Sequence, residues 1–433
     1  MSAMRTLGTI SVGILSVALA APPVFAFDDT FFLTSEDLLP DAPNTDLTID
    51  GDLGLVYAFS DNVDPALLSD LEVRLLGEHY LENGWQVQLN FEGRWNRNTL
   101  GDPLGQPLPF CDLDPAACPS VRLNSRLRPI VAGYSGFRPV TEISPDRNRA
   151  SLETASLTLK TGWFDAHLGY GPGAARLDPA GGPTAFRLTR ADAGRVNTTG
   201  IDATRTINET SSRSPKLTVQ SVELGQASSV GSAWVAVSFT PDTQGCFAEV
   251  CRDAFGPEGQ VQPVAEDVIE LAFRYEIERA GVEWAISADW SQALSQSKLI
   301  RDDGSRPDAF STVSAGLSAR YDLDSGGLEA GMRYLVSNNG WSDDARYHAM
   351  SVSAGFEQGL WLSTIEWSGF EDDLFSVDGE TVQIGTSRLI GDHFVAGAGW
   401  QVSRQKMNRV SSTTLLNNSS RVDTFFIEFG VQF

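Results

Sequence analysis

The sequence predicts an all-β protein, an antiparallel sixteen-stranded transmembrane β-barrel. Three observations lead there. From residue 46 to the end, apolar side chains recur with period two, the mark of strands whose two faces meet different surroundings. The connections between these strands alternate in length along the chain. The long apolar stretch stands at the N-terminus, and no later run approaches the roughly 18 residues a spanning helix needs.

The 433 residues carry 32 Lys and Arg against 56 Asp and Glu, a formal net charge of −24. Such a balance argues against nucleic acid as a partner, which requires a broad basic surface. A hydrophobic share of 42% with 20% charged residues excludes a disordered chain. Residues 1–26 read as a cleaved secretory signal peptide: Arg5 precedes an apolar stretch from Leu7 to Ala21, and Val24-Phe25-Ala26 supplies the small-x-small cleavage pattern. A short extension, 27–45, then leads into the strand region 46–433.

The first arm, 46–60, sets Leu47, Ile49, Leu53, Leu55, Tyr57 and Phe59 against Thr48, Asp50 and Asp52. In the second, 69–81, Leu71, Val73 and Leu75 alternate with Glu72 and Arg74; after the Glu82-Asn83-Gly84 turn, 84–97 sets Trp85, Val87, Leu89, Phe91 and Trp95 against Gln86, Gln88, Asn90, Glu92 and Arg94. Further arms follow at 150–161, 163–170, 216–223, 231–240, 267–278, 281–292, 310–321, 327–336, 346–357, 359–369, 380–388, 393–403 and 420–433. Arms 150–161 and 231–240 alternate less cleanly, which leaves fourteen or eighteen as neighbouring counts. Even parity lets a meander close with both ends on one side, as bacterial transmembrane barrels do.

Glu82-Asn83, Thr161-Gly162, Arg279-Ala280, Gln358 and Leu389 through Asp392 are short connections on one side. Connections 98–149, 171–215, 241–266, 293–309 and 404–419 are longer and fall on the other. A soluble sandwich also alternates apolar and polar residues, but it need not segregate its loop lengths. In a barrel, the polar face surrounds water, and Tyr57, Tyr170, Trp290, Tyr321 and Trp400 near arm ends suit the headgroup belts.

The four cysteines form two local pairs, Cys111-Cys118 and Cys246-Cys251. Export favours disulfides, and neither pair has the close C-x-x-C halves or neighbouring His of a zinc site. Closing the 8-residue Cys111–Cys118 segment would contribute about 2.5 kcal/mol on the chain-entropy account. No cofactor, metal or catalytic centre is expected. Gly169-Tyr170-Gly171-Pro172-Gly173 lacks the Gly-Lys-Ser/Thr ending of a phosphate loop, His79, His167, His348 and His393 form no H-E-x-x-H, and no G-x-S-x-G context isolates a nucleophile.

Leu53-Gly54-Leu55-Val56-Tyr57 at the start and Phe429-Gly430-Val431-Gln432-Phe433 at the end resemble the general porins of Gram-negative bacteria, the alphaproteobacterial type in particular. The resemblance spans 46–433. It implies an outer-membrane location, a homotrimer, contact with outer-membrane lipids, and passive diffusion of ions and small hydrophilic solutes. It also implies that Phe433, on an aromatic final strand, is read by the barrel assembly machinery. A substrate-specific channel is the nearest alternative; an exported acidic β-sandwich adhesion protein is a more distant one.

Within the resemblance, the hairpin Ala155 through Gly171 precedes a connection, 171–215, that would fold inward as the constriction loop. Its charges depart from the family pattern of an acidic loop facing wall arginines: Arg176, Arg187, Arg190, Arg195, Arg205 and Arg213 outnumber Asp178, Asp192, Asp202 and Glu209. Arg74 and Arg94, with Lys160, are the candidate cations of the wall, since alternation assigns their side chains to the lumen. Together with Arg176, Asp178, Arg187, Arg190, Asp192, Arg195, Asp202 and Arg205, they make up the expected pore lining.

Overall fold

The computed structural model describes residues 45–433 apart from 62, 98–119, 124–125, 130–133, 135–147, 193, 200, 202–203, 226–230, 244–245, 248–249, 252–264, 296–308, 324, 342–344 and 411–414. The expected signal peptide, nearly all of the 27–45 extension, Cys111, Cys118 and Asp202 lie outside the described residues.

Sixteen antiparallel strands close into one transmembrane barrel. They are β1 (Thr45–Ser60), β2 (Val63–Tyr80), β3 (Gln86–Arg97), β4 (Asn148–Lys160), β5 (Phe164–Gly171), β6 (Ser214–Ser221), β7 (Ser232–Asp242) and β8 (Glu266–Arg279). The second half comprises β9 (Val282–Ser295), β10 (Ser311–Leu323), β11 (Gly326–Ser337), β12 (Tyr347–Gln358), β13 (Trp361–Asp372), β14 (Val377–Ile390), β15 (Phe394–Val410) and β16 (Leu415–Gln432). Each strand pairs with its sequence neighbours, and β1 meets β16 in a seam running from Asp52 opposite Gln432 to Ser60 opposite Thr424. Phe433 completes that seam: its N–H donates to the Gly51 carbonyl at 3.0 Å and its carbonyl accepts from the Gly51 N–H at 2.8 Å. A Cβ at position 51 would stand 2.7 Å from the Phe433 ring, so Gly51 leaves the space the terminal ring occupies.

Alternation sorts the side chains into an outer apolar band and an inner polar face. On β9, Trp284 and Ile286 are exposed outward while Ala285, Ser287 and Asp289 point inward and are buried. Water-exposed apolar surface on this scale is not a property of soluble proteins; here it is the surface that lipid covers. Aromatic side chains mark both edges of the band, with Trp85, Trp163, Trp284, Tyr321 and Trp361 toward the short turns and Tyr57, Phe59, Trp400 and Phe425 toward the opposite rim.

The short-turn rim is built from tight hairpins. Arg279 pairs with Val282 around Ala280 and Gly281, both at positive φ (57° and 73°), as a two-residue turn matched to strand twist demands. The opposite rim is less uniform than the sequence suggests. Ser60 pairs with Val63, so the first connection there is tight, and the expected loop 404–419 is largely strand, with Val410 opposite Leu415. Arg404, Lys406, Arg421 and Asp423 face outward on these extensions, beyond the apolar band. Alternation fails there because both faces meet water.

Placing a charge in the outer band tests the orientation of the sheet. Ile286→Arg should destabilise the barrel by about 2–4 kcal/mol in denaturant titrations of folding into phospholipid vesicles. An unchanged midpoint would show that Ile286 does not face lipid.

Candidate functional site

The connection from β5 to β6, residues 172–213, folds into the barrel and lies along its inner wall. A short 3-10 turn at Ala174–Arg176 starts it, and Ala174, Ala175, Ala180, Phe186, Leu188 and Val196 are all buried against the sheet. Glycines on the lumen face make room for it. A Cβ at Gly316 would stand 2.1 Å from the Ala180 carbonyl, one at Gly331 2.5 Å from the Gly182 nitrogen, one at Gly385 2.3 Å from the Phe186 ring, and one at Gly54 2.4 Å from a Leu188 methyl. Strands β10, β11, β14 and β1 thus leave room at the wall in which the loop rests.

Wall carboxylates hold the loop by its backbone. Glu428 of β16 accepts the N–H groups of Arg187 (2.7 Å), Leu188 (3.0 Å) and Thr189 (3.1 Å), and the Thr189 hydroxyl at 2.9 Å. Glu366 of β13 accepts the Ala191 N–H at 3.2 Å and the Thr184 hydroxyl at 2.7 Å. Glu270 of β8 accepts the N–H groups of Ala175 and Ser211 and the Ser238 hydroxyl. From the other side, Arg333 of β11 donates to the carbonyls of Pro179 and Ala180 at 3.0 and 2.9 Å. The bonds to N–H and C=O groups satisfy loop peptides that an irregular backbone would otherwise leave unpaired.

The loop cations meet an acidic wall. Arg187 pairs with Asp52 of β1; Arg195 pairs with Glu72 at 2.5 Å and Asp70 at 3.3 Å on β2; Arg213 pairs with Glu153 of β4. Burial alone would lower the Arg195 pKa, but the carboxylates of Glu72 and Asp70 outweigh it and hold the guanidinium above its ordinary value. Arg176 pairs within the loop, with Glu209 at 2.7 Å. Arg205 donates to the Tyr134 carbonyl at 2.8 Å, and its own N–H donates to the Tyr347 hydroxyl at 3.0 Å. Tyr134 is fully buried, its ring stacked on Tyr347 at 5.5 Å within an apolar cluster with Phe310 and Phe370.

The other expected lining residues distribute as follows. Arg94 faces inward but is tied to Asp70 at 2.5 Å and donates to the Arg195 carbonyl at 3.3 Å, so it braces the loop. Arg74 remains 42% exposed beside Glu72 (3.3 Å) and Asp50 (3.5 Å). Lys160 stands on the lumen face opposite Asp165. Asp178 pairs with Arg274 at 2.6 Å, and burial pushes its carboxyl above the usual range against the pull of that arginine. Arg190 and Asp192 line a cavity of about 30 Å³ with Arg333 and Glu366. Asp192 also accepts the Thr206 N–H and the Ser351 hydroxyl.

No protein-family profile matches the chain, and no curated protein matches it. Solved structures do. OmpT of Vibrio cholerae, an outer membrane protein, is 8% identical and aligns over 91% of this chain and 99% of its own with a TM-score of 0.51. The trimer form of OmpT is 9% identical over 90% and 99%, with a TM-score of 0.50. The fold is that of an outer-membrane β-barrel. An anion-selective porin from Comamonas acidovorans aligns over 90% of this chain and 100% of its own at 10% identity and a TM-score of 0.49.

Sequence reasoning missed Glu428, Glu366, Glu270 and Arg333 as loop anchors. The available signal was a set of glycines and carboxylates at lumen-facing positions of several strands. Glu428→Ala removes an acceptor shared by three peptide N–H groups, each costing about 1–3 kcal/mol if left buried and unpaired. Limited trypsin digestion should then cut after Arg187, Arg190 or Arg195 in the variant while sparing the parent barrel. Equal resistance would show that Glu428 does not hold the loop.

Proposed function

We propose that the protein is a passive diffusion channel of the bacterial outer membrane, open to ions and small hydrophilic solutes. One observation carries the reading: a closed sixteen-stranded sheet with an apolar outer face encloses a polar lumen narrowed by an inward-folded loop. Such a lumen transports by diffusion, its cut-off set by the narrow section and its selectivity by the charges there. Arg74, Lys160 and the charged side chains of the loop are its proposed lining, while Arg94 acts through the loop it braces. Residues 1–26 serve as the export signal and Phe433 as the signal for barrel assembly in the alphaproteobacterial type of porin.

A homotrimer belongs to the same reading, in keeping with the trimer form of OmpT at the fold level. Disulfide staples at Cys246–Cys251 and Cys111–Cys118 belong to it too. Support for the first comes from the backbone register, in which Cys246 stands directly opposite Cys251 in a two-stranded hairpin.

Purified from detergent-solubilised membranes and added to a planar bilayer, the chain should produce discrete conductance steps that grow in proportion to salt. It should resist maleimide until reduced. Release from membranes without detergent, with no conductance, would favour the soluble adhesion alternative. Saturable block by one solute at low concentration would favour the substrate-specific channel.

A further inference from the structure

Resting on the pore reading, we infer that the channel prefers cations, and that the preference arises in an acidic vestibule on the short-turn side of the loop. Two independent features lead to this. The first is that the loop's excess of arginine is spent locally. Arg187, Arg195 and Arg213 are paired with carboxylates of the wall and Arg176 with one of the loop. The remaining described loop cations, Arg190 and Arg205, together with Arg333 and Lys216 of the wall facing the loop, are matched in number by Asp192 and by Glu270, Glu366 and Glu428 of that wall. The narrow section therefore presents opposed charges at close range, whose fields cancel over a few ångströms, and no net positive barrier.

The second feature is the wall below the loop. The register places Glu78, Glu92, Glu276, Glu283, Glu329 and Glu357 on the lumen face between the loop and the short turns. The described cations of that zone each have a carboxylate beside or opposite them. Arg74 lies beside Glu72 and Asp50, Arg274 pairs with Asp178 and Glu276, Arg320 pairs with Asp322 and Glu357, and Lys160 stands opposite Asp165. Among the described residues, carboxylates stay in excess once these neighbours are set against one another. In a water-filled tube with low-dielectric walls that surplus is focused along the axis, which raises the local concentration of cations and lowers that of anions. The basic loop, read from sequence, pointed away from a cation preference; its arginines lose that influence because the wall facing them is acidic.

The test is the reversal potential of the full-length mature protein in a planar bilayer under a potassium chloride gradient. The inference expects potassium to be favoured over chloride, strongly near 0.01 M, where the screening length is about 30 Å, and weakly near 1 M, where it is about 3 Å. Replacing three vestibule groups together, Glu276→Gln, Glu283→Gln and Glu329→Gln, should reduce the permeability ratio at least about twofold at low salt with little change in unitary conductance at high salt. Conductance with a chloride preference, or a cation preference insensitive to both salt and these substitutions, would overturn the inference and leave the pore reading standing. Absence of conductance in the parent protein would overturn both.

Discussion

Hydrocarbon offers no partner for a peptide N–H or C=O, so every backbone group that crosses it must be paired within the sheet. That constraint explains why the ladder closes. The seam between β1 and β16, finished by the reciprocal bonds of Gly51 and Phe433, removes the two open edges that a sixteen-stranded meander would otherwise present. Closure in turn divides the side chains by parity, apolar outward and polar inward, and thereby creates a lumen whose chemistry is independent of the lipid outside.

The interior is then organised around an irregular segment with its own unpaired peptide groups. Glu270, Glu366 and Glu428 supply acceptors, Arg333 supplies donors, and the glycines at 54, 316, 331 and 385 supply room. Ion pairs from Arg187, Arg195 and Arg213 to the wall add to this scaffold. The polarity is reversed from an acidic loop facing a basic wall. A basic loop on an acidic wall still gives a fixed, opposed charge distribution at the narrow section, and it leaves the remainder of the wall to determine the long-range field.

Strands were legible from sequence because the bilayer enforces alternation: Val87, Leu89 and Phe91 against Gln88, Asn90 and Glu92 admit one reading. The inward loop was legible only through resemblance, since residues 172–213 have no period of their own. Strand ends were misjudged where Arg404, Lys406 and Arg421 rise clear of the apolar band, because no lipid face remains there to select against charge. Ion pairs within the lumen were beyond reach. Arg94 and Asp70, 24 positions apart, meet across the β2–β3 pair, and Arg187 reaches Asp52 only because the loop folds inside the closed sheet.

The central claim is that one face of the sheet touches lipid and the other water. Nitroxide labels placed singly at positions 87 through 92 of β3, in the protein reconstituted into phospholipid vesicles, test it directly through collisional relaxation by oxygen and by a water-soluble nickel chelate. The account predicts strict alternation, with oxygen dominant at 87, 89 and 91 and the chelate dominant at 88, 90 and 92. Uniform accessibility to the chelate, or protection of both faces from it, would contradict it.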